Sequence, residues 1–294
     1  LYKRKSIILS LLLILGTTLI ISGCGTQPAT NTGSTLEKIR AQGYVTVGFA
    51  NEKPYAYATE TGQLTGLNVE IAREVLKGLG IEEMQGVLTE FGSLIPGLKA
   101  KRFDMITAGM YLTPDRAKEV AFANPEYTIG GGLAVKAGNP HNLKSYFDIA
   151  AKPEVKIAVM SGAAEYDHLL QVGVSEDQIV SVPDQPSALA ALQADRIDAI
   201  TMTSAALQSL LTTKKDPNIE RVEDFIIAEV NGKRQQAFGS AAFRHEDNDF
   251  REAYNRELEK LKESGRLLEI FEQFGFTKHE LPGDVTAEQA IEMW

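Results

Sequence analysis

The residues of this chain that could do chemistry sit in three short segments, each following an apolar run. Phe49-Ala-Asn-Glu52-Lys-Pro-Tyr55 follows the first, Glu90-Phe91-Gly92-Ser93 the second, and Gly109-Met-Tyr111-Leu-Thr-Pro-Asp-Arg116 the third. Together they offer a carboxylate at Glu52, aromatic faces at Tyr55, Phe91 and Tyr111, and a guanidinium at Arg116. This set suits the holding of a small charged molecule. Ring faces attract weakly hydrated cations, and a guanidinium presents two parallel donors to a carboxylate. Arg116 falls in the first turn of a helix that Thr113 caps and Pro114 opens, where a cation is disfavoured unless an anion binds beside it. Equipment for making and breaking bonds is missing. There is no Gly-x-Ser-x-Gly, no phosphate loop, no His-Glu-x-x-His and no defensible pair of acids. His141, His168, His245, His279 and the single Cys24 share no ligand-like spacing, so no metal, cofactor, disulfide framework or redox pair is expected.

Strand-like and amphipathic segments alternate, the pattern of an α/β protein with mainly parallel strands. Ser34 and Glu37 form a capping box for a helix through Arg40, and Val45–Phe49 reads as a strand. Val69, Ala72, Val75, Leu76 and Leu79 recur at helical spacing over 68–79, stopped by Gly80. Strands are expected at 87–91 and 105–108. Leu98–Met110 repeats as Leu192–Ser204, with Leu, Ala, Arg, Asp, Ile and Thr at the same places. Each copy is a helix end, a tight turn and a strand, which predicts two lobes of similar build. Ligands in open parallel sheets sit at the carboxyl ends of strands, so Gly109–Tyr111 and Thr203–Ser204 should face one another across a cleft. Gly130-Gly131-Gly132 with 133–135 is a candidate crossing between lobes, its glycines supplying hinge freedom, and 235–243 is the return. The tract 247–274 is helical with a break at Ser264-Gly265, and its apolar stripe is a core face.

The 294 residues are 44% apolar and 23% charged, a balance that excludes a disordered or collagen-like chain. Thirty Lys plus Arg against 39 Asp plus Glu give −9, which argues against a nucleic-acid surface. Lys3, Arg4 and Lys5 precede an uncharged run from Ile7 to Ile21, about 15 residues where a span needs about 20, so 1–23 reads as a secretory signal. Ile21-Ser22-Gly23-Cys24 resembles a lipobox, which makes Cys24 the expected site of lipid attachment. The polar stretch to Thr35 then reads as a tether, so 24–35 is a lipid-anchored linker. Loss of 1–23 leaves 27 cations against 39 acids, a net charge of −12.

From about Leu36 to Phe276 the chain resembles the extracellular solute-binding proteins of family 3, the receptors of polar amino-acid ABC importers. The resemblance is carried most specifically by Gly109-Met110-x-x-Thr113-Pro114-x-Arg116-Ala117-x-x-Val120-x-Phe122 and Pro125-x-Tyr127. It implies a two-lobed periplasmic-binding-protein-like (type II) α/β fold, each lobe a mixed, mainly parallel sheet flanked by helices. Lobe 1 is expected at 36–132 and 236–276, lobe 2 at 133–235, and a C-terminal tail at 277–294. The resemblance gives Arg116 the ligand carboxylate. It implies a ligand-binding protein and not an enzyme, with an ABC permease and ATPase as partners, an extracytoplasmic location and a monomeric state.

Two departures from the amino-acid binders of the family narrow the ligand. The Asp that holds the α-ammonium group is replaced by Thr203, and a Ser or Thr position is occupied by Tyr111. The expected ligand keeps its carboxylate and lacks an ordinary ammonium. Glu52 with the box of Tyr55, Phe91 and Tyr111 suits a delocalised cation. The runs Gly48–Tyr57, Leu88–Gly97, Pro183-Asp-Gln185 and Glu280–Val285 resemble the ectoine and hydroxyectoine binders of the family, which implies a compatible-solute receptor serving osmoprotection. Gly109 joins the expected site. In the second lobe Gly162-Ala163-Ala164 replaces a hydroxyl-bearing helix start, so Ser161 or backbone N–H groups near Ala164, together with Thr203, are the expected contacts. A receptor for a polar amino acid or betaine on the same fold is the nearer alternative, and a dehydratase-like enzyme the further one.

Overall fold

The structure is a computed structural model that describes residues 33–294, which form one compact unit. The expected signal segment, Cys24 and most of the linker lie outside the described residues. Ser34 and Glu37 form the capping box as read, and the helix they open runs over Thr35–Gln42, so the last linker residue is helical. Gly43, left-handed at φ 80°, ends it. Among the described residues no helix is long and apolar enough to cross a membrane.

Eight main strands build one mixed sheet: β1 (Tyr44–Phe49), β2 (Glu83–Leu88), β3 (Met105–Tyr111), β4 (Tyr127–Lys136), β5 (Ile157–Met160), β6 (Ile179–Val182), β7 (Ala199–Thr203) and β8 (Gln236–Phe243). Their order is β2-β1-β3-β8-β4-β7-β5-β6. Read outward from the β8–β4 pair, each half runs through one repeat strand, one strand parallel to it and one parallel edge strand. The order in both halves follows from two similar units joined at antiparallel long strands.

The sequence repeat is a repeat of hydrogen bonds. In the first copy Lys101 turns left-handed at φ 58°, with Lys101 N on Leu98 O and Arg102 N on Gly97 O. In the second Asp195 does the same at φ 54°, with Asp195 N on Leu192 O and Arg196 N on Ala191 O. Three residues later each copy uses its Asp to pin the neighbouring strand: Asp104 Oδ2 accepts from Thr46 N at 3.0 Å, and Asp198 Oδ2 accepts from Lys156 N at 2.8 Å. The shared Asp therefore sets the register of the repeat strand against its parallel neighbour.

Two strand boundaries differ from the sequence reading. The second strand ends at Leu88 rather than reaching Phe91, because Phe91 enters a single 3-10 turn that buries its ring. The third runs on to Tyr111, since all seven of its residues are buried and Tyr111 pairs with Gly239 of β8. Gly109–Tyr111 thus lie in a strand and not in a loop after it.

The crossing is one uninterrupted strand. Residues 127–130 of β4 pair with β8, and 131–135 pair with β7. Gly130, Gly131 and Gly132 are not left-handed, and what they supply is room: a Cβ there would lie 2.3 Å from Ile227 Cδ1, 2.8 Å from the Tyr146 hydroxyl and 3.1 Å from Leu207 Cδ2. Gly239 serves likewise in β8, where a Cβ would sit 2.3 Å from the Tyr127 ring.

Helices Leu67–Gly78, Asn248–Glu263 and Arg266–Gln273 cover the first half of the sheet, the last two separated by left-handed Gly265 as expected. Beneath them Glu126 is fully buried. Its carboxylate accepts from Asn68 Nδ2 (2.5 Å), Tyr254 Oη (2.7 Å) and Ala241 N (3.3 Å). Burial outweighs these donors and pushes its pKa up to about 7. A carboxyl raised in the folded state favours folding most below its ordinary pKa, and that share of stability is lost as pH rises through the folded value. The Tm of the protein should therefore fall between pH 5 and pH 8, and Glu126→Gln, neutral throughout, should remove part of that fall. Parallel Tm–pH curves for the two proteins would contradict this.

Candidate functional site

A cavity opens where the ends of β3 and β7 approach from the two halves of the sheet. Eight of the nine residues expected at the site line it: Glu52, Tyr55, Phe91, Gly109, Tyr111, Arg116, Ala164 and Thr203. Ser161 does not. It is exposed just beyond β5, its N–H donates to Val182 O at 2.8 Å, and its carbonyl backs onto Gly92. On that wall the second half contributes Met160, Ala163 and Ala164.

Tyr55 is 1% exposed and is held from three sides. Its ring stacks on Tyr127 at 5.3 Å and meets the edge of Phe276 at 6.0 Å, while its hydroxyl donates to Thr203 Oγ1 at 2.7 Å. Gly109, at φ 65°, leaves the space for it, since a Cβ there would lie 2.8 Å from the ring. The Tyr127 hydroxyl closes this group on Gly109 O at 2.8 Å. Tyr111 is also buried, its hydroxyl on Ile129 O at 3.2 Å. Phe91 carries the Arg116 guanidinium 5.5 Å above its ring, a cation–π contact that partly offsets the cost of burying that charge.

Arg116 sits on helix Pro114–Glu119, capped by Thr113 as the sequence implies. Its Nη1 donates to Tyr111 O at 2.8 Å and its Nη2 to Gly162 O at 2.7 Å. Burial lowers its pKa, while the Glu165 and Asp167 charges pull the other way. Thr203 caps helix Ser204–Lys214 through Ala206 N at 3.2 Å.

The acids are the unusual part. Glu52 is 6% exposed and takes one hydrogen bond, from Gln185 Nε2 at 3.0 Å. Burial, and then the nearby charge of Glu165, push its pKa up to about 8 despite that bond and Arg116. Glu165, also buried, opens helix Glu165–Gln171 on the opposite wall, and its Oε1 has no hydrogen-bond partner. Burial raises its pKa too, against its own backbone N–H and Arg116. The pair of acids that the sequence does not disclose is therefore present, its members 113 residues apart in the chain. Glu165, Gln185 and Thr201 are the buried polar lining residues that sequence reasoning missed. Glu165 reads as an ordinary acid in a helix first turn, and the only signal for Gln185 was the Pro183-Asp-Gln run.

Three side-chain bonds span the cavity: Tyr55 to Thr203, Gln185 to Glu52, and Arg116 to Gly162. Chemically it is an aromatic-walled box with two buried acids, a third, exposed acid (Asp184) at its edge and one guanidinium, fitted to hold a molecule bearing both a cation and a carboxylate. No group among its lining residues is a histidine or cysteine, and among the described residues no cluster could hold a metal ion.

Comparison with known proteins agrees with this architecture. The chain is 35% identical over 255 residues to a probable amino-acid ABC transporter periplasmic-binding protein of Sinorhizobium fredii, covering 86% of this chain and 82% of that one. It is 28% identical over 241 residues to the L-cystine-binding protein TcyJ of Escherichia coli, covering 81% and 85% of the two. The crystal structure of EhuB in complex with hydroxyectoine superposes with a TM-score of 0.79 at 37% identity, covering 87% of this chain and 97% of that one. The fold is the α/β, periplasmic-binding-protein-like one that the sequence implies. Residues 45–278 match the bacterial extracellular solute-binding proteins, family 3, and the chain belongs to that family, as a binding protein and not an enzyme, serving an ABC importer of amino acids or similar small solutes.

Proposed function

We propose that this protein captures ectoine or hydroxyectoine, small zwitterions with one carboxylate and one ring-delocalised amidinium. The observation that carries the reading is a cavity with Arg116 beside the Phe91 ring and two buried, poorly paired carboxylates, Glu52 and Glu165, on its walls. Arg116 takes the ligand carboxylate by exchanging its carbonyl partners for a bidentate pair. The amidinium lies against Tyr55 and Tyr111 and gives its N–H groups to the acids, a cation whose weak hydration makes its transfer to an aromatic box cheap. The hydroxyectoine complex of EhuB supports the same ligand class.

In this reading lobe 1 (36–132 and 236–276) and lobe 2 (133–235) rotate about β4 and β8, and closure excludes water from the charged contacts. Cys24 carries the lipid that keeps the monomeric receptor at the outer membrane face, near the permease, in the service of osmoprotection. A second reading has one observation in its favour. The two buried acids and the arginine, leaving aside the exposed Asp184, are balanced by a cationic amino acid, which carries two positive groups and one carboxylate. Ectoine leaves one proton or one negative charge on the pair. The cystine-binding relative shows that this family also takes larger amino acids.

Calorimetric titration with ectoine, hydroxyectoine, arginine and proline betaine separates these readings. Ectoine binding at or below about 10 µM, roughly −7 kcal/mol, is the expected result, and heat with arginine alone would transfer the site to amino acids. Arg116→Ala should abolish measurable binding, and Glu52→Gln should weaken it by about 10- to 100-fold with the fold intact, the cost of removing one partner from a buried charge pair.

The raised pKa of Glu52 sets a pH dependence. Its acid form prevails below about 8, and a cation binds the carboxylate, so ligand must displace a proton there. Affinity should rise between pH 6 and pH 8, by at most about tenfold per pH unit for one proton, and level off above. Titrations in buffers of different ionisation enthalpy should report the proton released, and Glu52→Gln should flatten the profile.

A further inference from the structure

The segment after Phe276 adds no strand to the sheet, yet it touches both halves. It begins on the first half. Helix Ala287–Met293 buries Ala287 and Ala290 in the cluster that contains Leu112 and Val120, and Ala287 N donates to Asn124 Oδ1 at 3.1 Å. Its end leaves that half. The Trp294 ring stacks on His168 at 4.6 Å with the planes 22° apart, and Lys233 Nζ donates to the carbonyl oxygens of Glu292 (2.7 Å) and Trp294 (2.9 Å). The same indole lies 6.5 Å from the Tyr111 ring.

These partners bear on the cavity from outside it. Trp294 is absent from the lining, whereas Tyr111 forms part of the wall. His168 is buried on helix Glu165–Gln171, one turn after Glu165 and on the same face of that helix. Burial, then the Arg116 charge, lower the His168 pKa to about 4, so a neutral imidazole meets the indole near neutral pH. A single ring thus spans a wall residue of the first half and the helix that presents Glu165 from the second.

We propose that Trp294 is a positioning residue for the ligand site: by joining His168 to Tyr111 it braces the closed cleft, and it must release His168 when the cleft opens. This rests on the reading of the cavity as a ligand site sealed by lobe closure. The contribution is the size of an aromatic pair, which corresponds to a shift of about fivefold in the open-to-closed ratio.

Cleft width can be read without ligand, from the distance between spin labels at Glu90→Cys and Ser181→Cys in the full chain carrying Cys24→Ser. Both positions are exposed. Trp294→Ala is expected to raise the open fraction about fivefold, and Trp294→Phe to restore most of the closed one. His168→Ala should widen the distribution to the same extent, with Trp294→Ala adding nothing on top, a pattern that mere loss of stability would not produce. His168→Ala also carries the test if the alanine variant at 294 fails to fold. An unchanged distribution in these variants overturns the proposal, as does full additivity of the two. Ectoine is then added, and its dissociation should be about fivefold faster from Trp294→Ala. If the ligand-free distances shift but ectoine binds neither protein, the brace stands and the ectoine reading falls. Because Trp294 is the only tryptophan in the chain, its emission gives a second report, expected to move to longer wavelength in His168→Ala.

Discussion

The structure around the cavity depends on two buried acids for which the protein supplies too few partners to keep them ionised. Taking a carboxylate out of water costs several kcal/mol unless a cation or several donors replace the water. At Glu126, away from the cavity, the chain offsets part of that cost with three donors around one buried acid. At Glu52 it supplies one donor, and at Glu165 one oxygen is left with none. Arg116, the available cation, is turned onto two backbone carbonyls. Such an arrangement is costly in the protein alone and becomes favourable when a bound molecule completes it.

Everything that holds the acids in place is built to be stiff on one side and divisible on the other. On the first half Tyr55, Tyr127 and Phe276 pack ring against ring, and Gly109 and Gly239 let backbone come close enough for that stack to form. The second half meets this body through individual hydrogen bonds across the cavity and through the β4–β8 pair. Bonds of that kind are each of modest net worth, roughly 1 kcal/mol, and can be exchanged for ligand contacts at little cost. The crossing strand gains no extra dihedral freedom from its glycines, which are filled against Ile227, Tyr146 and Leu207.

The sequence disclosed what is local and periodic. Caps at Ser34 and Thr113, the helix ending at Gly78 and the break at Gly265 each depend on residues within a turn of one another. The Leu98 and Leu192 repeats were legible because an identical turn needs identical residues, including the Asp that pins the next strand. The residues of the first-half wall were legible as types in a motif. Glu165 was not, because nothing near it in the chain distinguishes a buried acid from a solvated one; its burial is decided by Arg116 and Tyr111 arriving from the other half. Ser161, a second-half expectation, lies outside the lining. A hydroxyl beside a helix start is an attractive contact, but Ser161 falls in the exposed turn just after β5. Strand ends such as Tyr111 were misplaced because the last residues of β3 are held by pairing with β8, which is 125 or more residues later.

In the proposed ligand reading, the surfaces beside the charges bear on the choice of cation as much as the number of charges does. An ammonium group offers three donors in a tetrahedral fan and is strongly hydrated, so it calls for oxygen ligands on several sides. This cavity is lined largely by Tyr55, Tyr111, Phe91, Met160, Met202 and alanines, which provide faces, beside the polar side chains of Asp184, Gln185, Thr201 and Thr203. A planar cation spreads its charge over atoms that can lie on those faces, and directs its donors along its edge. Thr203, where an acid would have gripped an ammonium group, is already occupied by the Tyr55 hydroxyl and by the helix it caps. The second half of the cleft therefore adds Glu165 from a helix start rather than an acid from the end of β7. That displacement moves the negative charge from the strand end to a wall facing the rings, where a flat cation can meet acid and aromatic surface together.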